Sequence, residues 1–186
     1  MFIQTEPTPN PATVKFLPGR EVSPERSLDF TDPEEAARVS PLARRIFEVG
    51  GVRGVHLGPD FVSVTKAEEE DWHLLKPAVL GAIMEHYLSG EPVVDPAAEI
   101  AGEPAPAAEE DEVTRRIREL IDTRVRPVVA RDGGDIVFRG FERGIVYLHL
   151  RGACHGCPSA VITLKNGIEN LLKHYVPEVV EVRALS

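Results

Sequence analysis

The sequence predicts an α+β protein made of two small sandwich domains joined by a flexible linker rich in Pro, Ala and Glu. Three observations support this prediction. The 186 residues are 42% hydrophobic, which is enough for two small cores. Short strand patterns and amphipathic helix patterns occur on both sides of residues 91–111. That segment carries seven acidic groups, four prolines and no basic group, so it lacks the apolar surface needed to fold.

The predicted limits are a first domain at residues 1–90, a linker at 91–111 and a second domain at 112–186. Their net charges are −5, −7 and +3, which give −9 for the chain. A chain this acidic is not expected to bind nucleic acid. It has no apolar run of the roughly 18–20 residues that cross a membrane, and no signal segment at its start. We therefore expect a cytoplasmic protein with no nucleic-acid or membrane partner.

Four strands and two helices are predicted in the first domain. The strands, set by alternating apolar residues and by turn-forming clusters, are at 2–5, 13–17, 53–57 and 61–66. The helices are at 41–49 and 72–89. Ser40 and Asp71 are the predicted N-caps, Gly50 and Gly90 end the helices, and Pro77 predicts a kink. The expected buried positions are Leu42, Ile46, Phe47, Val49, Trp72, Leu75, Val79, Ile83 and Tyr87.

The first domain shows no catalytic motif. His56, His73 and His86 lack the spacing of metal ligands and are interpreted as surface or packing residues. There is no glycine-rich phosphate loop and no G-x-S-x-G sequence. This domain is therefore predicted to be an interaction or regulatory module.

The second domain is predicted to have the order α-β-β-α-β. The elements are a helix at 112–130, strands at 135–142 and 144–150, a helix at 158–175 and a strand at 179–184. Pro127 predicts a bend in the first helix. The expected buried positions are Val113, Ile117, Leu120, Ile121, Val128, Val129, Val161, Leu164, Ile168, Leu171 and Leu172.

The two cysteines of the chain, Cys154 and Cys157, form a C-x-x-C motif between a predicted strand and the start of a predicted helix. Unpaired N–H groups and the positive end of the helix dipole favour a thiolate there, so we expect a lowered cysteine pKa. The thiolate is the form that binds iron or zinc. The motif therefore predicts a metal, cluster or redox site.

Two sulfurs are half of a four-ligand site. Two chains can share one centre, or His149, His155 or His174 can complete a site within one chain. Alternatively, no metal binds and the pair is a dithiol switch. The motif follows a hairpin and precedes a helix and a third strand, which we do not take as the βαβ context typical of thioredoxin-like redox proteins. The residues alone leave these alternatives open.

Two stretches resemble a known family. The second domain, with DGGD, two strands, G-A-C-H-G-C-P-S and TLKNGIE, resembles the C-terminal domain of the NifU-like (Nfu) iron–sulfur scaffold and carrier proteins. In the first domain, MFIQTEPTPNPATVKFLPG, SPLARRIFEVGGVRGVHLGPDFVSVTK and DWHLLKP resemble the Nfu N-terminal domain.

The resemblance implies a homodimer in which Cys154 and Cys157 of each chain are the thiolate ligands of one bridging 4Fe-4S cluster. It further implies delivery of that cluster to apo-proteins, downstream of an assembly scaffold, by a chain that is not an enzyme. Our own hypothesis is that the first domain contacts the clients. The alternative is a thiol–disulfide redox protein that uses the dithiol. Because the chain opens almost directly on the first domain, a bacterial cytoplasmic protein is expected.

Overall fold

A computed structural model describes residues 1–98, 110–155 and 158–185. The chain divides into two compact units, residues 1–100 and 101–186, and each unit has its own hydrophobic core. Both units combine helices with a sheet. The predicted two-domain α+β class is therefore confirmed.

The first unit is built on a five-stranded antiparallel sheet with the strand order β1-β2-β5-β4-β3. Its strands are β1 Gln4–Pro7, β2 Thr13–Leu17, β3 Leu28–Phe30, β4 Val52–Leu57 and β5 Val62–Lys66. Its helices are α1 Pro33–Val39, α2 Pro41–Glu48 and α3 Trp72–Ser89. All three helices contribute to one core together with the facing side chains of the sheet.

Strand β3 and helix α1 were not predicted from the sequence. Strand β3 is only three residues long, so its alternation of apolar residues is too short to recognise. Helix α1 begins where the Asp32 carboxylate accepts the N–H of Glu34, with Pro33 in the first turn. The predicted caps of α2 and α3 are present, since the side chains of Ser40 and Asp71 accept N–H groups of their helices.

Residues 91–98 belong to the first unit, although the sequence placed them in the flexible linker. The Ser40 hydroxyl donates to the Val93 carbonyl at 2.5 Å, and the N–H of Asp95 donates to the Val39 carbonyl at 2.8 Å. Val93 also packs against the core. The Pro- and Glu-rich composition concealed these contacts. The rest of the predicted linker, residues 99–109, lies outside the described residues.

The second unit combines a three-stranded sheet, in the order β6-β7-β8, with two helical segments. Its elements are α4 Glu112–Leu120, a π-helical turn Ile121–Val125, α5 Arg126–Arg131, β6 Gly134–Glu142, β7 Ile145–Gly152, α6 Pro158–Tyr175 and β8 Glu181–Leu185. Strand β7 pairs antiparallel with β6 and parallel with β8. Helix α6 connects β7 to β8.

A π-helical turn replaces the bend predicted at Pro127. The N–H of Arg126 donates to the Ile121 carbonyl, five residues back, immediately before the proline. The wider turn accommodates a residue that has no N–H of its own. A π-helical turn contains one residue more than an α-helical turn, which rotates the residues that follow. As a result, Val129 is buried and Val128 is 55% exposed. The prediction that Val128 is buried was therefore wrong.

The hairpin between β6 and β7 closes on two residues with positive φ. Arg143 has φ 52° and Gly144 has φ 79°, the conformation of a two-residue type I′ turn. A Cβ on Gly144 would lie 2.7 Å from a methyl carbon of Val180. The turn therefore needs glycine both for its backbone angle and for the close approach of the chain that precedes β8.

Candidate functional site

Cys154 lies in the connection from β7 to α6, two residues after the end of the strand. Its side chain belongs to the core of the second unit, and the residue is only 8% exposed. The N–H of His155 donates to the Gly152 carbonyl at 3.0 Å, which turns the chain around the cysteine. Cys157 lies outside the described residues.

Two adjacent glycines make room for the sulfur of Cys154. A Cβ on Gly134 would lie 2.5 Å from that sulfur and 2.9 Å from the Arg151 carbonyl oxygen. Gly133 has φ 78°, and its carbonyl accepts the N–H of Ala153 at 3.2 Å. The two glycines of the DGGD sequence therefore hold the cysteine loop against the start of β6.

The second aspartate of DGGD is held by an arginine that the sequence did not single out. Asp135 is 4% exposed, and its two carboxylate oxygens accept from Nε and Nη2 of Arg126, each at 3.0 Å. Nη1 of Arg126 also donates to Asp122 at 3.3 Å. This two-point bond fixes the end of the π-helical turn to the strand that begins beside Cys154. The signal that the sequence offered for the Arg126–Asp135 pair was the aspartate that directly follows the two glycines.

The Cys154 thiol differs from the expected thiolate. Burial raises its pKa to about 12, and the nearby carboxylates of Asp132 and Asp135 act in the same direction. The expectation of a lowered pKa was wrong for this cysteine, because it weighed the helix dipole and neglected burial in a core that has acidic neighbours. A metal that binds here must therefore displace a proton from the sulfur.

The described residues do not complete a metal site within one chain. No three His, Cys, Asp or Glu side chains among them are placed to hold a metal ion. His149, His155 and His174 therefore do not gather with Cys154 into such a group. His174 lies on α6, where its ring packs edge-on against Tyr175 with ring centres 4.9 Å apart.

The cysteine loop does lie in a βαβ unit, contrary to the sequence interpretation. Strands β7 and β8 are parallel neighbours, and α6 crosses from one to the other. The sequence showed the order of the elements but not the direction in which the third strand pairs. This arrangement is the context in which a C-x-x-C motif is typical of thiol redox proteins.

The sheet of the first unit carries a polar row that the sequence did not suggest. Strand pairing aligns five residues across it, namely Glu6, Lys15, Ser63, His56 and Asp29. Nδ1 of His56 lies 3.2 Å from Oδ1 of Asp29, but its Nε2 has no hydrogen-bond partner. His56 and Ser63 are each 1% exposed, so a substrate does not reach them. The row is therefore not arranged as a catalytic triad.

Comparison with protein families matches both units. The model described as "Scaffold protein Nfu/NifU N terminal" matches residues 3–90, and the model described as "NifU-like domain" matches residues 117–183. The human protein named NFU1 iron-sulfur cluster scaffold homolog, mitochondrial, is 53% identical over 180 residues, which are 96% of this chain and 70% of the human protein. The chain belongs to the Nfu family of scaffold proteins. The family predicted from the sequence is thus confirmed.

Further proteins and one solved structure also match the chain. The Drosophila virilis protein of the same name is 47% identical over 98% of this chain and 61% of its own length. The chain spans 61–64% of the Drosophila relatives it matches. A solution structure of a NifU-like protein from Saccharomyces cerevisiae is 26% identical with a TM-score of 0.46, and the likeness covers 52% of this chain and 86% of that one.

Family membership supports an iron–sulfur cluster scaffold role. The expected bacterial cytoplasmic location was wrong, because the human and Drosophila relatives are named mitochondrial. That expectation rested on where the sequence starts, which does not decide the compartment. No helix in the described part of the Nfu chain is both long and apolar enough to cross a membrane. That the chain is not an enzyme stays a prediction, although the matched family model is described as a scaffold.

Proposed function

We propose that this Nfu protein carries a 4Fe-4S cluster held between two copies of the chain and delivers it to apo-proteins. Each copy supplies Cys154 and Cys157, and the four sulfurs complete the cluster's ligand set. The observation that carries the proposal is that Gly133 and Gly134 form a close-fitting cradle for Cys154, while no three His, Cys, Asp or Glu side chains among the described residues are placed to hold a metal ion within one chain. A second copy supplies the missing half.

Sharing the cluster between two chains provides a route for its release. Separation of the two chains removes two of four ligands in one step, whereas a site within one chain loses them singly. Thiolates of the receiving protein then take the vacated positions on the iron. The apo-proteins and the upstream scaffold that loads the cluster are the partners that this role requires.

The first domain is proposed to contact the client. Residues 1–90 carry a net charge of −5 and form a core of their own. A linker then raises the effective concentration of the cluster domain at a client that is already bound. Because residues 91–98 pack on the first unit, the proposed tether is shorter than the predicted 91–111.

One observation favours the alternative of a thiol–disulfide redox protein. The cysteine loop leads from β7 into α6 within a parallel βαβ unit. This alternative predicts a dithiol that turns over a disulfide substrate without iron. The raised pKa of Cys154 does not separate the two functions, because disulfide exchange and metal binding both use the thiolate.

Anaerobic reconstitution with iron and sulfide, followed by transfer to an apo-enzyme that needs a 4Fe-4S cluster, tests the proposal. The wild type should bind four iron and four sulfide per two chains and activate the enzyme. Cys154→Ala and Cys157→Ala should lose both properties, whereas the control Val128→Ala, at an exposed position of α5, should keep them. Zinc in place of iron, or full redox turnover without iron, would reject the proposal in favour of an interaction module or a redox protein.

A further inference from the structure

Helix α3 of the first unit is apolar on the face that it exposes as well as on the face that it buries. Leu75, Val79, Ile83 and His86 point into the core. On the opposite side, Leu74 is 78% exposed, Met84 39% and Leu88 79%. We define the α3 outer stripe as Leu74, Pro77, Ala78, Gly81, Met84 and Leu88, all of which are exposed. A row of exposed apolar side chains on a helix is typical of a face that another element covers, and the described residues of the first unit do not cover this one.

The shape of the α3 outer stripe suits a second helix. Its ends, Leu74 and Leu88, are about 21 Å apart along the axis at the usual helical rise. Ala78 and Gly81 are small residues near its middle, and a Cβ on Gly81 would meet nothing within 4 Å. Packing within the unit therefore does not require glycine at this position, where it costs helix stability. Its absent side chain leaves a shallow saddle that admits another backbone.

The charges around the α3 outer stripe are acidic. Residues 68–71, directly before the helix, read Glu-Glu-Glu-Asp and are all exposed. Glu91 follows Gly90 at the other end and is paired with Arg45 at 2.8 Å, so the charge of this end is partly balanced. Glu85, on the exposed side, is paired with Arg45 at 3.2 Å. Two such acidic surfaces repel each other, whereas a partner with Lys or Arg beside its apolar residues is attracted.

We propose that the α3 outer stripe docks an amphipathic, basic helix of the apo-protein client. Apolar side chains of the client helix pack over Ala78 and Gly81 between the ridges of Leu74 and Leu88. Its Lys or Arg side chains face Glu68–Asp71. This is the helix-in-groove mode of peptide recognition. The inference rests on the proposed delivery role and assigns that role a surface.

The test uses the full-length apo chain and a labelled synthetic helix of Leu and Lys, about 18 residues or five turns long. Its binding is followed by fluorescence anisotropy. Two control peptides have the same composition in scrambled order, or Glu in place of Lys. Leu88→Glu has a matched control in Phe2→Glu, because both side chains are about 80% exposed and both changes add one negative charge. Gly81→Leu places an apolar side chain in the saddle, and its Cβ meets nothing within 4 Å.

The wild type and Phe2→Glu should bind the Leu/Lys helix alike. Leu88→Glu and Gly81→Leu should each weaken binding by roughly tenfold or more, a loss readily resolved by titration. Neither control peptide should bind comparably. Unchanged affinity in both stripe variants, equal binding of the scrambled peptide, or no binding to the wild type would overturn the proposal. So would a dimer of the apo chain that Leu88→Glu abolishes, because the stripe is then covered by a second copy.

Cluster loading separates this inference from the proposed function. Iron and sulfide content is measured on the same variants after reconstitution. If Leu88→Glu and Gly81→Leu lose peptide binding but keep the iron and sulfide content of the wild type, the docking surface and the cluster site are independent. If the wild type loads no cluster but still binds the peptide, the proposed function fails and the docking surface stands as a property of the first unit.

Discussion

Gly134 and Cys154 are in such close contact that a Cβ on the glycine would lie 2.5 Å from the cysteine sulfur. The backbone carbonyl of Arg151 closes the same space at 2.9 Å. A side chain at position 134 therefore displaces the sulfur or the end of β7. The absence of a side chain on Gly134 is therefore what allows the sulfur of Cys154 to occupy this position.

Gly134→Ala should lower the cluster content and destabilise the second unit. The added methyl group overpacks a buried contact, which typically costs about 1–3 kcal/mol in the free energy of unfolding. Amide exchange in β6 and iron content after reconstitution measure the two effects. Gly140→Ala is the matched control in the same strand, because a Cβ there meets nothing within 4 Å. Equal cluster content in the two variants would contradict the cradle.

Arg126→Ala should destabilise the second unit by roughly 3 kcal/mol, because it leaves the buried Asp135 carboxylate without its charged partner. Arg126→Lys keeps the charge but not the two-point bond and should lie between the alanine variant and the wild type. The free energy of unfolding of the second unit is measured from amide exchange in β6 at increasing denaturant concentration. Arg116→Ala, at an exposed position on α4, should change stability by less than about 0.5 kcal/mol. If Arg126→Ala lowered the free energy of unfolding by no more than Arg116→Ala does, the ion pair with Asp135 would be dispensable.

His86 should make the stability of the first unit sensitive to acid. The residue is fully buried on α3, and neither ring nitrogen has a hydrogen-bond partner. Burial, followed by the charge of Arg45, lowers its pKa, while Glu91 acts in the opposite direction. The unfolded chain therefore binds a proton at a higher pH than the folded one. The free energy of unfolding should fall as pH drops below about 6.5, by up to about 1.4 kcal/mol per pH unit.

The measurement is denaturant unfolding between pH 8 and pH 5, followed by the emission of Trp72, the only tryptophan of the chain and part of the first unit. His86→Phe should flatten the decline below about pH 6.5. His73→Gln, at an exposed position of the same helix, should leave it unchanged. A wild-type curve with no decline over this range would contradict the assignment of a neutral, buried His86.

The sequence predicted the elements with long regular patterns and missed features that depend on distant contacts. Helix α3 and helix α6 have the predicted bounds, because the Asp71 cap of α3, the proline that opens α6 and the apolar spacing of both are local signals. Val128 was misplaced because a π-helical turn shifts the helical period by one residue. The Val93 contacts and the burial of Cys154 depend on residues far away in the chain.

Some features of the candidate site were predictable from the sequence, and others depended on how the strands pair. The spacing of Cys154 and Cys157 pointed to metal or redox chemistry, and the family was evident from DGGD and the cysteine motif. The role of each DGGD residue was not evident. It required the register that places Gly134 opposite Gly152 and Asp135 opposite Arg151. Pairing direction likewise decided that the motif lies in a βαβ unit.

The central claim is that one chain supplies half of the ligands of the cluster and a second chain supplies the rest. Native mass spectrometry of the reconstituted protein, sprayed under anaerobic conditions, tests it most directly. The account predicts a species of two chains with one 4Fe-4S cluster, and apo chains once the cluster is removed by a chelator. A single chain that retains an intact cluster would contradict it.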